Sequence, residues 1–384
     1  MIAYNNTSLH NERIQEQSTT AFENSFISKE ELQNIKLKYP VQFYTPNIFI
    51  RIGLFILTLI ILSFSFSLFS LLFMSSLDSA WKGLMLFFAI LTYAALEFMV
   101  QTKHHYKSGV DDALLWNFAG LLFGSISLLL DAGALANSVL IFLISFYCSI
   151  RFADRIMSVV AFLSLLAILF FLFTDHLGIS KAIIPFVLMA ASAAVYFLIK
   201  NLEKKESLKN YAHCFTIISI AGLLSFYAAG NYYVVREVNN AMFHLTSDGS
   251  LPFGWMFWIL TFLIPILYIA RGIQKKDALF LRVGLLLIAA MVFTVRNYYH
   301  IIPHEVFMTI AGSVLLILSY GLISYLKQPK FGFTYAELNK ENQMEKLQIE
   351  SLIIAETFGQ QSKPTETTKF GGGSFGGGGA GGEL

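Results

Sequence analysis

Two histidine pairs and one intramembrane carboxylate are the places where this sequence could do chemistry. His104-His105 and Asp111-Asp112 lie close together. Imidazole and carboxylate together suit a divalent transition metal. Their spacing matches no ligand pattern, however, whereas Ser108-Gly109-Val110-Asp111 fits a capping box. In that reading Asp111 and Asp112 favour the positive N-terminus of a helix. His300 and His304 are four apart, which would place two imidazoles on one helical face, but Pro303 intervenes. Proline starts helices more readily than it continues them, so His300 is expected to precede the helix, and a zinc site is disfavoured.

The candidate ligand patch is the wider polar group around those histidines: Arg296, Tyr298, Tyr299, His300, His304 and Glu305, with Arg236 and Glu237 of an earlier segment. A guanidinium beside tyrosine rings can receive an anionic or aromatic ligand. The same residues could instead form an aromatic belt with polar tips at headgroup level. Arg236 and Arg296 are expected to share one outward-facing cleft. Glu97 is the carboxylate most clearly inside an apolar run, and Arg51 sits at similar depth in the preceding one. Helices joined by a short link are neighbours, which predicts a structural Arg51–Glu97 ion pair. No P-loop, G-x-G-x-x-G, G-x-S-x-G or H-E-x-x-H occurs, so no catalytic centre, metal or cofactor is assigned.

The elements that must position these residues are ten apolar stretches: Ile48–Phe73, Gly83–Val100, Ala113–Leu130, Ala134–Ile150, Ile156–Thr174, Ala182–Ile199, Tyr211–Gly230, Phe253–Ala270, Ala278–Val295 and Val306–Leu326. About 20 apolar residues cross a hydrocarbon core of roughly 30 Å. The expected fold is therefore all-α, a polytopic membrane bundle of about ten transmembrane helices. The 384 residues are 55% hydrophobic and only 14% charged, which excludes an ordinary soluble domain. The net charge of +2 says little, but its placement says much. Only Lys82, Lys181, Arg236 and Arg296 fall on one side of the alternation, leaving 23 of the 27 basic residues on the other. The positive-inside rule then puts both termini in the cytoplasm. The basic residues follow topology and do not cluster for nucleic acid.

Three regions follow. Residues 1–47 form a polar cytoplasmic segment, mobile as far as Ser28, where Ser28-Lys29-Glu30-Glu31 opens a short interfacial helix. Residues 48–326 are the transmembrane domain, with Pro185 and Pro265 inside spans and expected to kink them. Residues 327–384 begin with a capped helix over 334–358, which lies on the membrane or pairs with a protein partner. They end in a Gly-rich tail carrying Phe370 and Phe375, too poor in apolar surface to fold. Cys148 and Cys214 lie within or at the ends of spans and imply no disulfide framework.

The tail, Phe370-Gly-Gly-Gly-Ser-Phe375 and onward, resembles the Gly-rich ends of uncharacterised bacterial envelope proteins. The last span and its entry, Arg296-Asn297-Tyr298-Tyr299-His300, resemble the final helix of multi-spanning bacterial membrane families of unknown function. The resemblance covers the last quarter of the chain. It implies a multi-pass protein of the bacterial inner membrane and carries no activity with it. With no ionisable group at mid-membrane, a non-enzymatic envelope scaffold or interaction protein is expected. The alternative is a secondary transporter of a small neutral or anionic molecule, built from two inverted five-helix halves. Substrate, oligomeric state and partner are not written in the sequence.

Overall fold

The computed structural model describes residues 2–23, 26–72, 77–176, 183–243, 252–275 and 277–298, with 309, 312, 313, 316, 317, 320, 321 and 324. Twelve α-helices run through it: α1 (Asn6–Glu23), α2 (Lys29–Lys38), α3 (Ile48–Leu72), α4 (Leu77–Gln101), α5 (Val110–Leu130) and α6 (Ala134–Phe152). Then come α7 (Arg155–Phe171), α8 (Ile184–Leu202), α9 (Ala212–Gly230), α10 (Tyr232–Phe243), α11 (Gly254–Lys275) and α12 (Ala278–Tyr298). Nine of these are long and apolar enough to cross a bilayer: α3 to α9, α11 and α12. The protein is a membrane-embedded helical bundle. The tenth expected span, Val306–Leu326, and the helix expected over 334–358 lie outside the continuously described residues, as does the Gly-rich tail.

The spans pack as four hairpins, α4 on α5, α6 on α7, α8 on α9 and α11 on α12. All four turn on the same face of the bundle, the one that carries α1 and α2. Tyr44, just after α2, pairs its backbone with the α4–α5 turn. The backbone N–H of Ala3 donates to Arg151 at the end of α6 (2.7 Å). Tyr211, at the α8–α9 turn, donates its hydroxyl to the Ile150 carbonyl. Tyr196 near the end of α8 meets Phe280 at the start of α12. Two cores result. Leu96, Leu114, Phe118, Cys148 and Phe152 centre one within α4–α7. Met189, Leu223, Tyr227, Ile264 and Leu287 centre the other within α8–α12, and α7 against α9 joins the two.

Short side chains allow the close turns. Gly109 has φ +90°, and a Cβ there would fall on the carbonyl oxygen of Arg51, so α3 can lie against the start of α5 only because this residue is glycine. At Gly272 an added Cβ would come within 2.8 Å of the Leu281 backbone, closing the α11–α12 hairpin in the same way. Gly124 admits the Met85 methyl of α4, whereas Gly120 faces open space.

Two sequence expectations are overturned. Pro185 does not kink a span: α8 begins at Ile184, so Pro185 sits in the first turn, where a missing N–H costs no hydrogen bond. Pro265 alone is internal, buried in α11. The N-terminal segment expected to be mobile as far as Ser28 instead carries the helix α1 over Asn6–Glu23. Asn5 caps α1, its side chain accepting from the N–H groups of Thr7 (2.8 Å) and Ser8 (3.3 Å), and Leu9 is buried. The capping box at Ser28 and Glu31 forms with both of its bonds, at 3.2 and 2.7 Å.

Candidate functional site

The polar groups of the first core gather at the face where the hairpins turn, beneath the N-terminal segment. Asp111, in the first turn of α5, is 3% exposed and fully engaged. Its carboxylate accepts from the N–H of Lys107 (2.8 Å), the N–H of Ser108 (2.9 Å) and the Ser108 hydroxyl (2.9 Å). The expected capping box is thus half present. Asp111 reaches back as anticipated, but Ser108 donates to it instead of capping the helix, because the positive φ of Gly109 makes glycine the N-cap. His105 uses its Nδ1 on the Ser108 hydroxyl (2.7 Å). Burial holds that imidazole below its ordinary pKa, with Asp111 opposing. Among the described residues, no three His, Cys, Asp or Glu side chains are grouped to hold a metal.

The expected Arg51–Glu97 pair does not form. Arg51 donates to Asp112 through Nη2 (2.6 Å) and Nε (3.2 Å). Glu97 receives the fork of Arg151, Nε at 2.9 Å and Nη2 at 3.0 Å, together with the Tyr93 hydroxyl (2.8 Å) and the Gln101 amide. Chain adjacency misleads here. Across Gly109, and with Phe55 set edge-on to Trp116, α3 leans on α5, so Arg51 meets the first turn of α5. The last turn of α6 supplies the cation for α4. Both pairs are bridges at the edge of the membrane, with side chains 17–36% exposed.

Beside the Arg51–Asp112 pair lies a cavity of about 320 Å³, lined by Arg51, Lys107, Arg155, Asp111, Asp112 and Asp154 with the rings of Tyr4, Tyr106 and Trp116. Three cations face three carboxylates. Asp154 caps α7 by accepting from the Met157 N–H (2.7 Å), yet burial raises its pKa. Nε1 of Trp116 is buried near that carboxylate without completing a hydrogen bond. Tyr4 is 8% exposed, and burial, followed by Asp111, keeps its phenol well above the ordinary range and therefore protonated. Tyr106 stacks on Phe43 and is raised likewise by burial and then by Glu12. Glu12 of α1 meets Lys107 at 3.4 Å; burial raises its pKa more than that lysine lowers it. The cavity offers fixed charges of both signs and phenol donors, an arrangement for binding a dipolar group.

The outer patch read from the sequence is only partly within the described residues. Arg236 of α10 lies over the Tyr298 ring of α12 (5.1 Å), with Nη1 3.4 Å from the Tyr232 hydroxyl. Tyr232 stacks on Trp258 at 4.7 Å. Glu237 is exposed on α10, and Arg296 occupies the last turn of α12. Tyr299, His300, His304 and Glu305 lie outside the described residues. The earlier segment that carries Arg236 and Glu237 is helical over Tyr232–Phe243, as α10.

Sequence reasoning missed a buried neutral cluster beneath that patch. Asn231, 2% exposed, donates Nδ2 to the Tyr227 hydroxyl and to Thr294 Oγ1, both at 2.9 Å. Its Oδ1 accepts from the Val234 N–H (3.2 Å), and Thr261 accepts from the Tyr232 N–H (3.0 Å). The available signal was the Gly230-Asn231 step, an asparagine directly before a new helix. No family model, curated protein or solved structure matches the chain.

Proposed function

We propose that this chain is a non-enzymatic interaction scaffold of the bacterial inner membrane, with its working surface and both termini on the cytoplasmic side. The orientation rests on the basic residues, which crowd the face where the hairpins turn. The bacterial assignment rests on the resemblance of the tail. The observation that carries the scaffold reading is the docking of the N-terminal segment. Tyr4 inserts into the first core, Ala3 bonds to Arg151, and Glu12 pairs with Lys107. A cytoplasmic element held this firmly presents a fixed surface to a partner, and the helix expected over 334–358 would add to it.

The rival reading is a permease, and the cavity beside Arg51 and Asp112 is what favours it. Two features weigh against it. The ion pairs sit at span ends, where a coupling group would be expected near mid-membrane. In two inverted five-helix halves the α4–α5 hairpin would be matched by α9 with α11, yet α9 packs far more closely on α8 than on α11.

Counterflow into proteoliposomes loaded with mixed amino acids, sugars and organic acids should match empty liposomes. A photoreactive residue at the exposed position Gln17 of α1 should give one discrete protein adduct in native membranes. Saturable uptake that Asp112→Asn abolishes would overturn the scaffold reading in favour of transport.

A further inference from the structure

We propose that the groove between the turning-face ends of α8 and α11, backed by the middle of α9, binds an anionic phospholipid of the adjoining leaflet. The groove encloses about 440 Å³. Lys200, Lys204 and Arg271 line its mouth, and no carboxylate lines it. The cavity of the first core balances three cations with three carboxylates, so its charge is settled internally. Here it is not. Lys200 reaches Glu203 at 3.0 Å, but neither Lys204 nor Arg271 has an ion pair among the described residues, and both are exposed.

Depth and chemistry match a lipid lying along the helices. Lys200 is in the last turn of α8, Lys204 lies just beyond that helix, and Arg271 lies four residues before the end of α11, near the level of phosphate headgroups. Ser192 lies eight residues before Lys200 on α8, roughly 12 Å deeper at 1.5 Å per residue. Between them stands the ring of Tyr196, and Phe226 of α9 extends the aromatic wall deeper. The Tyr196 hydroxyl makes no hydrogen bond among the described residues and can donate to a phosphate or ester oxygen. Ser192 is completely buried, and its Oγ has no partner among the described residues either. A soluble anion would use the mouth and leave this apolar wall bare. A phospholipid uses both, with phosphate on Lys204 and Arg271 and an acyl chain descending past Phe226. Basic pockets between membrane helices suit such headgroups, each cation adding to the attraction.

The test uses the full chain purified in a non-ionic detergent and native mass spectrometry. Phosphatidylglycerol and phosphatidylcholine of identical acyl chains are titrated, with glycerol 3-phosphate as soluble competitor. One phosphatidylglycerol should be retained at roughly tenfold preference over phosphatidylcholine. K204Q with R271Q should erase the preference, while K204R with R271K should keep it and show that the groove is still folded. Glycerol 3-phosphate at millimolar concentration should not displace the lipid. Equal retention of the two lipids, or a preference that survives K204Q with R271Q, would overturn the site. Displacement by glycerol 3-phosphate would reassign it to a soluble phosphate ligand.

Discussion

The two polar clusters of this bundle solve the same problem in different ways. In the first core, Arg51–Asp112 and Arg151–Glu97 are charged and remain 17–36% exposed, at the ends of their helices. In the second, Tyr227, Asn231, Thr261 and Thr294 are neutral and at most 4% exposed. Charge is kept at a depth where water and headgroups still reach it, because desolvating an ion costs several kcal/mol even after pairing. Neutral donors and acceptors can be buried more completely, provided each closes on another. The comparison separates partly exposed charge pairs at helix ends from closed neutral contacts that fix helix register.

The largest effect that would test this contrast is at Glu97. Replacing it with Ala leaves the Arg151 guanidinium without its fork partner. A fully buried pair broken this way costs about 3–5 kcal/mol; partial exposure reduces the expectation to about 2 kcal/mol. Denaturation in mixed micelles would measure it. E97A with R151L should recover most of the loss, and E97A with R51A should be additive, since Arg51 belongs to Asp112. Coupling between positions 51 and 97 would restore the pairing that chain adjacency implies.

Next in size is Asn231→Ala. It leaves the Val234 N–H and the Tyr227 and Thr294 hydroxyls short of a partner. Hydrogen bonds in membrane bundles are worth about 0.6 kcal/mol each, and an orphaned donor costs more, so a loss of about 1–2 kcal/mol is expected. The two variants should differ in salt response. Raising ionic strength should shrink the E97A effect and leave that of N231A unchanged. Equal salt sensitivity would erase the distinction between the clusters.

The sequence made much of this architecture legible, for physical reasons that also mark where it stopped. Apolar length announces a span without any neighbour, so α3 to α9, α11 and α12 could all be read directly. Local caps such as Ser28 with Glu31 depend on residues three apart and were equally readable. Partner choice was not. Arg51 and Asp112 are 61 residues apart and meet only because Gly109 lets α3 cross the start of α5. Asp154 was passed over because an N-cap in a two-residue turn resembles any polar loop residue until Met157 is seen bonding to it. Asn231 was hidden by its setting at a helix junction, and its partner Thr294 lies 63 residues away.

The smallest expected effect is a pH response confined to the charged end. The His105 ring is neutral toward Ser108, and burial lowers its pKa from the ordinary 6.5, with Asp111 pulling the other way. The unfolded imidazole takes its proton near 6.5, while the folded one takes it only at lower pH. The stability it contributes is fully present above 6.5 and is lost as pH falls from there through the folded value. Glu12 and Asp154 act with the opposite sign. Their folded pKa values lie above the ordinary 4.5 and 3.8, so acidification into that range favours the folded state. The local readout is hydrogen exchange at the Tyr44 N–H, which donates to the His104 carbonyl (2.9 Å) and reports the clamp on the α4–α5 turn. Its protection should weaken as pH drops from 7 toward 5.5, after correction for intrinsic exchange, and His105→Gln should flatten that change. The Asn231 cluster, which holds no titrating group in this range, should show no such slope. If its amides lose protection in parallel, the acid response belongs to the bundle as a whole and not to the charged end.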